Sequence, residues 1–383
     1  MLPLSNPTPE ATLVTRVWRP GIGPALVRLD GDTVTDITSR ELPTMQALLD
    51  SADPTATTRA ASGEAICSLA ELVAGSTPDA GEDDLRLLAP PDLQSIKACG
   101  VTFAASMVER VIEEQAAGDP DSAAAIREKV GAVIGDSLSG IEPGSPKAMD
   151  VKAVLQAEGL WSQYLEVGIG PDAEVFSKCP TMASVGWGAA VGLHPMSKWN
   201  NPEPEIVLAV NGRGEICGAT LGNDVNLRDV EGRSALLLGK AKDNNASCAI
   251  GPFLRLFDER FGLDDIRKAE LTMKVEGTDG YVLDGHSSMS QISRDPENLV
   301  QQTVGRHHQY PDGFFLFLGT LFAPVQDRDA PGQGFTHHLG DVVTISEPAL
   351  GELRNTVGLS TECPEWRFGI SALMRNLAGR ELL

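Results

Sequence analysis

Asn200-Asn201-Pro202-Glu203-Pro204-Glu205 leads into the apolar run Ile206–Val210. After the turn Asn211-Gly212-Arg213-Gly214 comes Gly222-Asn223-Asp224-Val225-Asn226-Leu227-Arg228-Asp229. In extended chain residues i and i+2 point the same way, so Glu203 and Glu205 present two carboxylates on one face. Pro204 between them has no ladder donor, which places it at a strand entry or a sheet edge. Two like charges so close repel unless a cation sits between them, and a hairpin or meander can return Asp224 to the same spot. Three carboxylates with no His or Cys nearby suit a hard divalent ion, Mg²⁺ or else Mn²⁺ or Ca²⁺, over Zn²⁺. The bland alternatives are a solvated strand face for the ExE and an ordinary turn for Asn223-Asp224.

Around this stretch, from Glu174 onward, the chain runs in short β-type segments separated by turns, among them Leu271–Val275, Tyr281–Leu283, Gly313–Phe317 and Asp341–Ile345. Helical spacing interrupts them at about Ser234–Leu238, Asn298–Arg306 and Phe368–Ala378. Upstream, Ser95–Val101 is an apolar run. The stretch from Phe103 to about Ala117 has helical spacing, and Ser122–Ile134 and Ala148–Glu158 suggest two more helices. This polar helical insertion, about residues 104–165, is a candidate lid. Residues 1–85 look like a small α/β module: strands at Thr12–Arg19, Ala25–Leu29 and Thr33–Ile37, then helix-like spacing at Met45–Leu49 and Ala65–Leu72. A polar stretch from Gly75 to Asp84 sets the expected boundary with 86–383. The pattern is α+β, not a doubly wound sheet, and GxGxxG, P-loop and repeat signatures are absent.

The net charge of −22 disfavours nucleic acid and anionic membranes as partners, so an anionic substrate needs local capture. The six cysteines are widely spaced, with no CxxC pair, which fits a reducing cytosol. The first residues lack the basic-then-apolar pattern of a signal peptide, and no apolar run is long enough to span a bilayer. The expected location is cytoplasmic.

An ordered set of motifs resembles the fumarylacetoacetate hydrolase family. It comprises Glu203-x-Glu205, Asn223-Asp224-x-Asn226-x-Arg228-Asp229, Gly239-Lys240, Ser247-Cys248-Ala249-Ile250-Gly251-Pro252, Leu318-Gly319-Thr320, Gly340-Asp341-Val342-Val343 and Leu350-Gly351-Glu352-Leu353-Arg354-Asn355-Thr356-Val357. Leu88-Ala89-Pro90-Pro91 to Gly100-Val101-Thr102-Phe103 matches the strand that opens the catalytic domain, so the resemblance runs over about residues 86–360. It implies a mixed β-roll with a divalent metal, usually Mg²⁺, held by Glu203, Glu205 and Asp224. It also implies Lys240 beside the metal, with Lys242 and Asp243 near enough to exchange roles with it, and Thr320 holding the substrate's carboxylate. Arg228 is a partner for Asp224 or for that carboxylate, and Asn223 belongs to the same substrate-binding motif. A 2-oxo acid chelating such a metal would be activated toward enolate formation. The family further implies a homodimer or homotetramer.

The family's hydrolases carry a His after the entry strand, with a Glu a few residues later. Here the matching position is Ser106, and a serine is no general base near neutral pH. Ser106, Arg110 and Glu113 on one helix resemble a branch of the family that dehydrates 2-keto-3-deoxy pentonates to 2,5-dioxopentanoate. That reading needs a base at C3, with Lys240 as first choice, and a lid acid for the C4 hydroxyl, for which Glu109, Glu113 and Glu114 are candidates, Glu113 first and then Glu109. The alternatives are a hydrolase or decarboxylase of an acylpyruvate-like 2-oxo acid, or a binding protein with a degenerate site. Among the histidines, His308 and His337 are candidates to touch substrate hydroxyls.

Overall fold

The computed structural model describes residues 10–383 except 118, 120, 121, 123–125, 127–140, 158–160, 323, 325, 332 and 333, and it leaves out the side chains of 104, 105 and 113. The helix expected at Ser122–Ile134 therefore lies largely outside the described residues.

Among the described residues, sixteen strands form two sheets. They are β1 (Leu13–Arg19), β2 (Gly23–Asp30), β3 (Thr33–Asp36), β4 (Glu64–Ser68), β5 (Arg86–Leu88), β6 (Ser95–Gly100), β7 (Glu174–Cys179) and β8 (Ala190–Leu193), followed by β9 (Pro204–Val210), β10 (Ile216–Asp224), β11 (Cys248–Leu256), β12 (Glu270–Glu276), β13 (Val282–Ser288), β14 (Phe314–Phe317), β15 (Val342–Glu347) and β16 (Gly351–Leu359). The large sheet runs β4-β3-β2-β1-β11-β10-β9-β14-β6-β7, with β5 also on β1; the small one runs β13-β12-β15-β16-β8. Pairing is antiparallel except for β14 with β6 and β16 with β8, so both sheets are mixed.

The centre of the large sheet explains the unbroken apolar run after Glu205. Every residue of β9 is buried. Ile206, Leu208 and Val210 point into one core with Val275, Val343 and Leu353 of the small sheet. Val207 and Ala209 point to the other side, against Met45, Leu48 and Leu49 of the helix Met45–Leu49. A strand covered on both faces shows no polar alternation. The insertion has a core of its own, in which the helix Ala104–Gln115 buries Met107, Val111 and Ile112 against Leu165 and Ile169 of the helix Gln163–Ile169.

The N-terminal strands belong to the same large sheet. β1 pairs antiparallel with β11, Leu13 opposite Arg255 and Val14 opposite Leu254, so hydrogen bonds cross the boundary expected near residue 85. The helical spacing at Ala65–Leu72 resolves into β4, an edge strand on β3, and a helix at Leu69–Gly75. Ser68 starts that helix with a capping box to Glu71. Among the described residues no helix is long and apolar enough to cross a membrane.

Candidate active site and metal centre

The carboxylates meet because of strand register. Glu205 lies opposite Gly222 and Pro204 opposite Asn223. One step further, the Asp224 N–H donates to the Glu203 carbonyl at 3.0 Å. Asn223 Oδ1 accepts the Glu203 N–H at 3.1 Å and fixes the strand entry. Glu203, Glu205 and Asp224 then share one side, all buried, each with a ligand oxygen within 4.8 Å of the others'. Glu205 Oε2 accepts the Gly319 N–H at 2.6 Å. Gly319 has φ +90°, and a Cβ there would collide with the Thr102 hydroxyl, so only glycine delivers this donor.

The expectation that Lys240 flanks these carboxylates is not met. Lys240 is exposed, and Lys242 is the buried lysine. The helix Leu238–Lys242 turns about 100° per residue, so two positions along it face nearly opposite ways. Lys242 Nζ lies 2.6 Å from Glu203 Oε2 and 3.0 Å from Asp224 Oδ2. Two further cations close the cluster, and the sequence reading gave neither of them this place. Lys178 Nζ is 2.8 Å from Asp224 Oδ1. Arg110, expected at the substrate, reaches Glu203 Oε1 at 2.6 Å and Glu231 Oε2 at 3.0 Å.

Glu174 and Glu231 line the same cavity as the three clustered carboxylates. Five carboxylates stand against the cations Lys178, Lys242 and Arg110, leaving two negative charges without a counterpart among these groups. An all-oxygen donor set with that deficit fits a hard divalent cation. The titration of the carboxyls reflects the same imbalance. Burial, then Asp224 and Glu203, hold the Glu205 carboxyl well above the usual range. Burial and the nearby Glu231 push Glu174 up to about 7, against the pull of Arg110 and Lys242. Burial works to deprotonate Lys242, but Asp224 and Glu203 outweigh it and keep the ammonium charged.

The helix Ala104–Gln115 brings Ser106 and Arg110 to this cluster. Ser106 and Arg110 line the cavity at the carboxylates, and Ser106 Oγ donates to the Phe103 carbonyl at 2.8 Å. Ser106, Glu109, Arg110, Asn201, Arg228 and Thr320 line a second, adjoining cavity. Glu109 Oε2 lies 3.3 Å from Arg228 Nη2, and the Arg228 guanidinium stands 4.3 Å from the Trp199 ring centroid. Arg228 therefore pairs with Glu109 of that helix and not with Asp224. Glu114 faces elsewhere, accepting from Gln163 Nε2 at 2.9 Å. Glu113 lies on the helix, but its side chain is outside the described residues. Asn223 lines neither cavity, and neither do His308 and His337. His308 is exposed, while buried His337 holds Asp341 Oδ2 at 3.1 Å. The two cavities measure about 30 and 20 Å³. Spaces of that size hold roughly one or two waters.

Residues 180–358 match the family model described as "Fumarylacetoacetate (FAA) hydrolase C-terminal". A Haloferax volcanii protein named "Probable 2-keto-3-deoxyxylonate dehydratase" is 32% identical over 194 residues, 51% of this chain and 63% of that protein. A Saccharolobus solfataricus protein named "2-dehydro-3-deoxy-D-arabinonate dehydratase" is 28% identical over 180 residues, 47% of this chain and 57% of that protein. The matched stretch thus spans less than two thirds of either relative. Among solved structures, "2-keto-3-deoxy-D-arabinonate dehydratase complexed with magnesium and 2,5-dioxopentanoate" superposes with a TM-score of 0.62 at 20% identity, covering 91% of this chain and 99% of that one. That likeness is one of fold.

Proposed function

We propose, for a chain whose residues 180–358 match the fumarylacetoacetate hydrolase C-terminal model, a magnesium-dependent hydro-lyase that converts a 2-keto-3-deoxy pentonate to 2,5-dioxopentanoate. The observation that carries this reading is the make-up of the cavity beside Glu203, Glu205 and Asp224. Among the described residues it is lined by no histidine to activate a water, and it holds one carboxyl, Glu174, pushed up to about 7. The relatives' names and the magnesium and 2,5-dioxopentanoate of the structural neighbour support the same chemistry.

Held by Glu203, Glu205 and Asp224, a magnesium ion would supply a Lewis acid that draws electron density out of the 2-oxo acid. Glu174 is the group suited to take the C3 proton, because a base works best with a pKa near the operating pH. Ser106 and Thr320 offer hydroxyls to the substrate. A lid carboxyl, Glu109 or Glu113, gives a proton to the C4 hydroxyl as it leaves. Loss of the C3 proton and that hydroxyl forms a C3–C4 double bond and water. A net shift of hydrogen from C5 and its hydroxyl onto C3 and C4 then yields the terminal aldehyde. Lys242 keeps Glu203 and Asp224 in place, a positioning role.

The test is a panel of 2-keto-3-deoxy pentonates and acylpyruvates with the purified chain, in magnesium and in EDTA, with products weighed by mass spectrometry. Magnesium-dependent loss of water from a pentonate is expected. Gain of water with carbon–carbon scission, or equal turnover in EDTA, would overturn the reading.

A further inference from the structure

The two cavities at the carboxylates share Ser106, Arg110, Glu203 and Thr320 in their linings. Glu205 and Asp224 line only the inner one, while Glu109, Arg228, Phe322 and Pro324 line only the outer one. The site therefore has a direction. An acid whose oxygens lie toward Glu203, Glu205 and Asp224 runs its carbon chain past Ser106 and Thr320 into the outer cavity. There the far end of the chain meets the apolar side chains of Phe322 and Pro324.

The segment that carries Phe322 is fixed residue by residue. The Gly319 N–H donates to Glu205 Oε2 at 2.6 Å. The Leu321 N–H donates to Ser287 Oγ at 3.1 Å, and the Phe322 N–H donates to the Thr320 hydroxyl at 3.0 Å. The Pro324 carbonyl accepts from Arg228 Nη1 at 3.2 Å. Behind the Phe322 ring stands backbone, since a Cβ on Gly285 of β13 would collide with it. β13 pairs with β12 along its whole length, which makes that backing stiff. Glu109 and Arg110 differ in this respect. They reach the outer cavity from the helix Ala104–Gln115 on unbranched stems, and a change of rotamer moves them aside. The Phe322 ring is the wall that does not retreat.

We infer that Phe322 sets the length of the substrate, its ring standing against the last carbon of the chain and turning longer acids away by collision. The inference rests on the proposed reading, in which the ligand is a 2-oxo acid of five carbons.

Straight-chain 2-oxo acids of four to eight carbons, titrated calorimetrically into the full chain with magnesium, test it without any turnover. Wild-type affinity is expected to peak at five carbons and to fall by ~10-fold or more at seven, the scale of forcing methylenes against an unyielding wall. In Phe322→Ala the affinity should go on rising beyond five carbons, by ~4-fold for each added methylene, the worth of one buried CH₂. Phe322→Leu takes its place if circular dichroism shows the alanine variant unfolded, and should move the peak to six carbons. A wild-type affinity that rises through eight carbons, an unmoved profile in the folded variant, or no saturable binding at any length would each overturn the assignment. The lyase reading is judged apart from it, by loss of water from pentonates. A chain with the five-carbon peak and no dehydration would sink that reading and leave the length limit standing.

Discussion

Replacing Lys242 with methionine keeps an unbranched stem and deletes the ammonium between Glu203 and Asp224. All three side chains are buried. Deleting one partner of a buried ion pair costs about 3–5 kcal/mol, because each carboxylate left behind loses one of its two counter-charges. Unfolding entropy near 2.1 cal/mol/K per residue, over a 383-residue chain, turns that cost into a fall in Tm of roughly 4–6 °C. Magnesium should then stabilise the variant more than the wild type, because one further negative charge awaits a cation. Differential scanning calorimetry in EDTA, followed by a magnesium titration, measures both effects. An unchanged Tm in EDTA would mean that the ammonium does not hold the carboxylates. An equal magnesium shift in the two proteins would mean that these carboxylates are not the cation's site.

Glu174→Gln should lower kcat by ~10²-fold or more, the usual scale for a proton-transfer group, while calorimetry still detects magnesium binding. Lys240→Ala should leave kcat and KM at their wild-type values in the same assay, since that side chain is exposed. Burial favours the protonated form of Asp341, but Arg328 at 2.6 Å and His337 outweigh it and depress the carboxyl below its usual range. A depressed folded-state pKa contributes stability that is present above the unfolded value, near 3.9, and is lost as pH falls through the folded one. Urea unfolding should therefore show wild type losing stability relative to Asp341→Asn as pH falls below about 4.

The three clustered carboxylates were legible because their signal is local. Glu203 and Glu205 are two apart on a strand, and Asp224 returns through a single hairpin turn. Lys242 needed more than spacing. A Gly-Lys pair drew attention to Lys240, and only the short helix that carries both lysines decides which one faces inward. Glu174 and Lys178 sit on β7, at the edge of the sheet, and reach the site through β6, β14 and β9, a path that no motif traces. Their one sequence sign is the alternation Glu174-Phe176-Lys178 along a strand. Glu174 and Phe176 line the cavity, and Lys178 follows on the same face. In the N-terminal region the strands were readable from turns and β-branched residues. Ala65–Leu72 was misread because its apolar spacing fits a helix, although Ser68-x-x-Glu71 marked where the helix begins.

The pairing of β1 with β11 bears on any attempt to shorten this protein. A chain beginning at residue 86 would leave β11 as a bare edge, its Leu254 and Leu256 stripped of the apolar cover that Val14 and Leu26 now supply. Exposed edges of that kind template pairing with other chains. The Arg59–Asp258 pair and the bond from the Leu256 N–H to the Thr12 carbonyl would go as well. A trimmed version would thus trade solubility for brevity, and residues 10–85 act as a built-in stopper on an otherwise sticky seam.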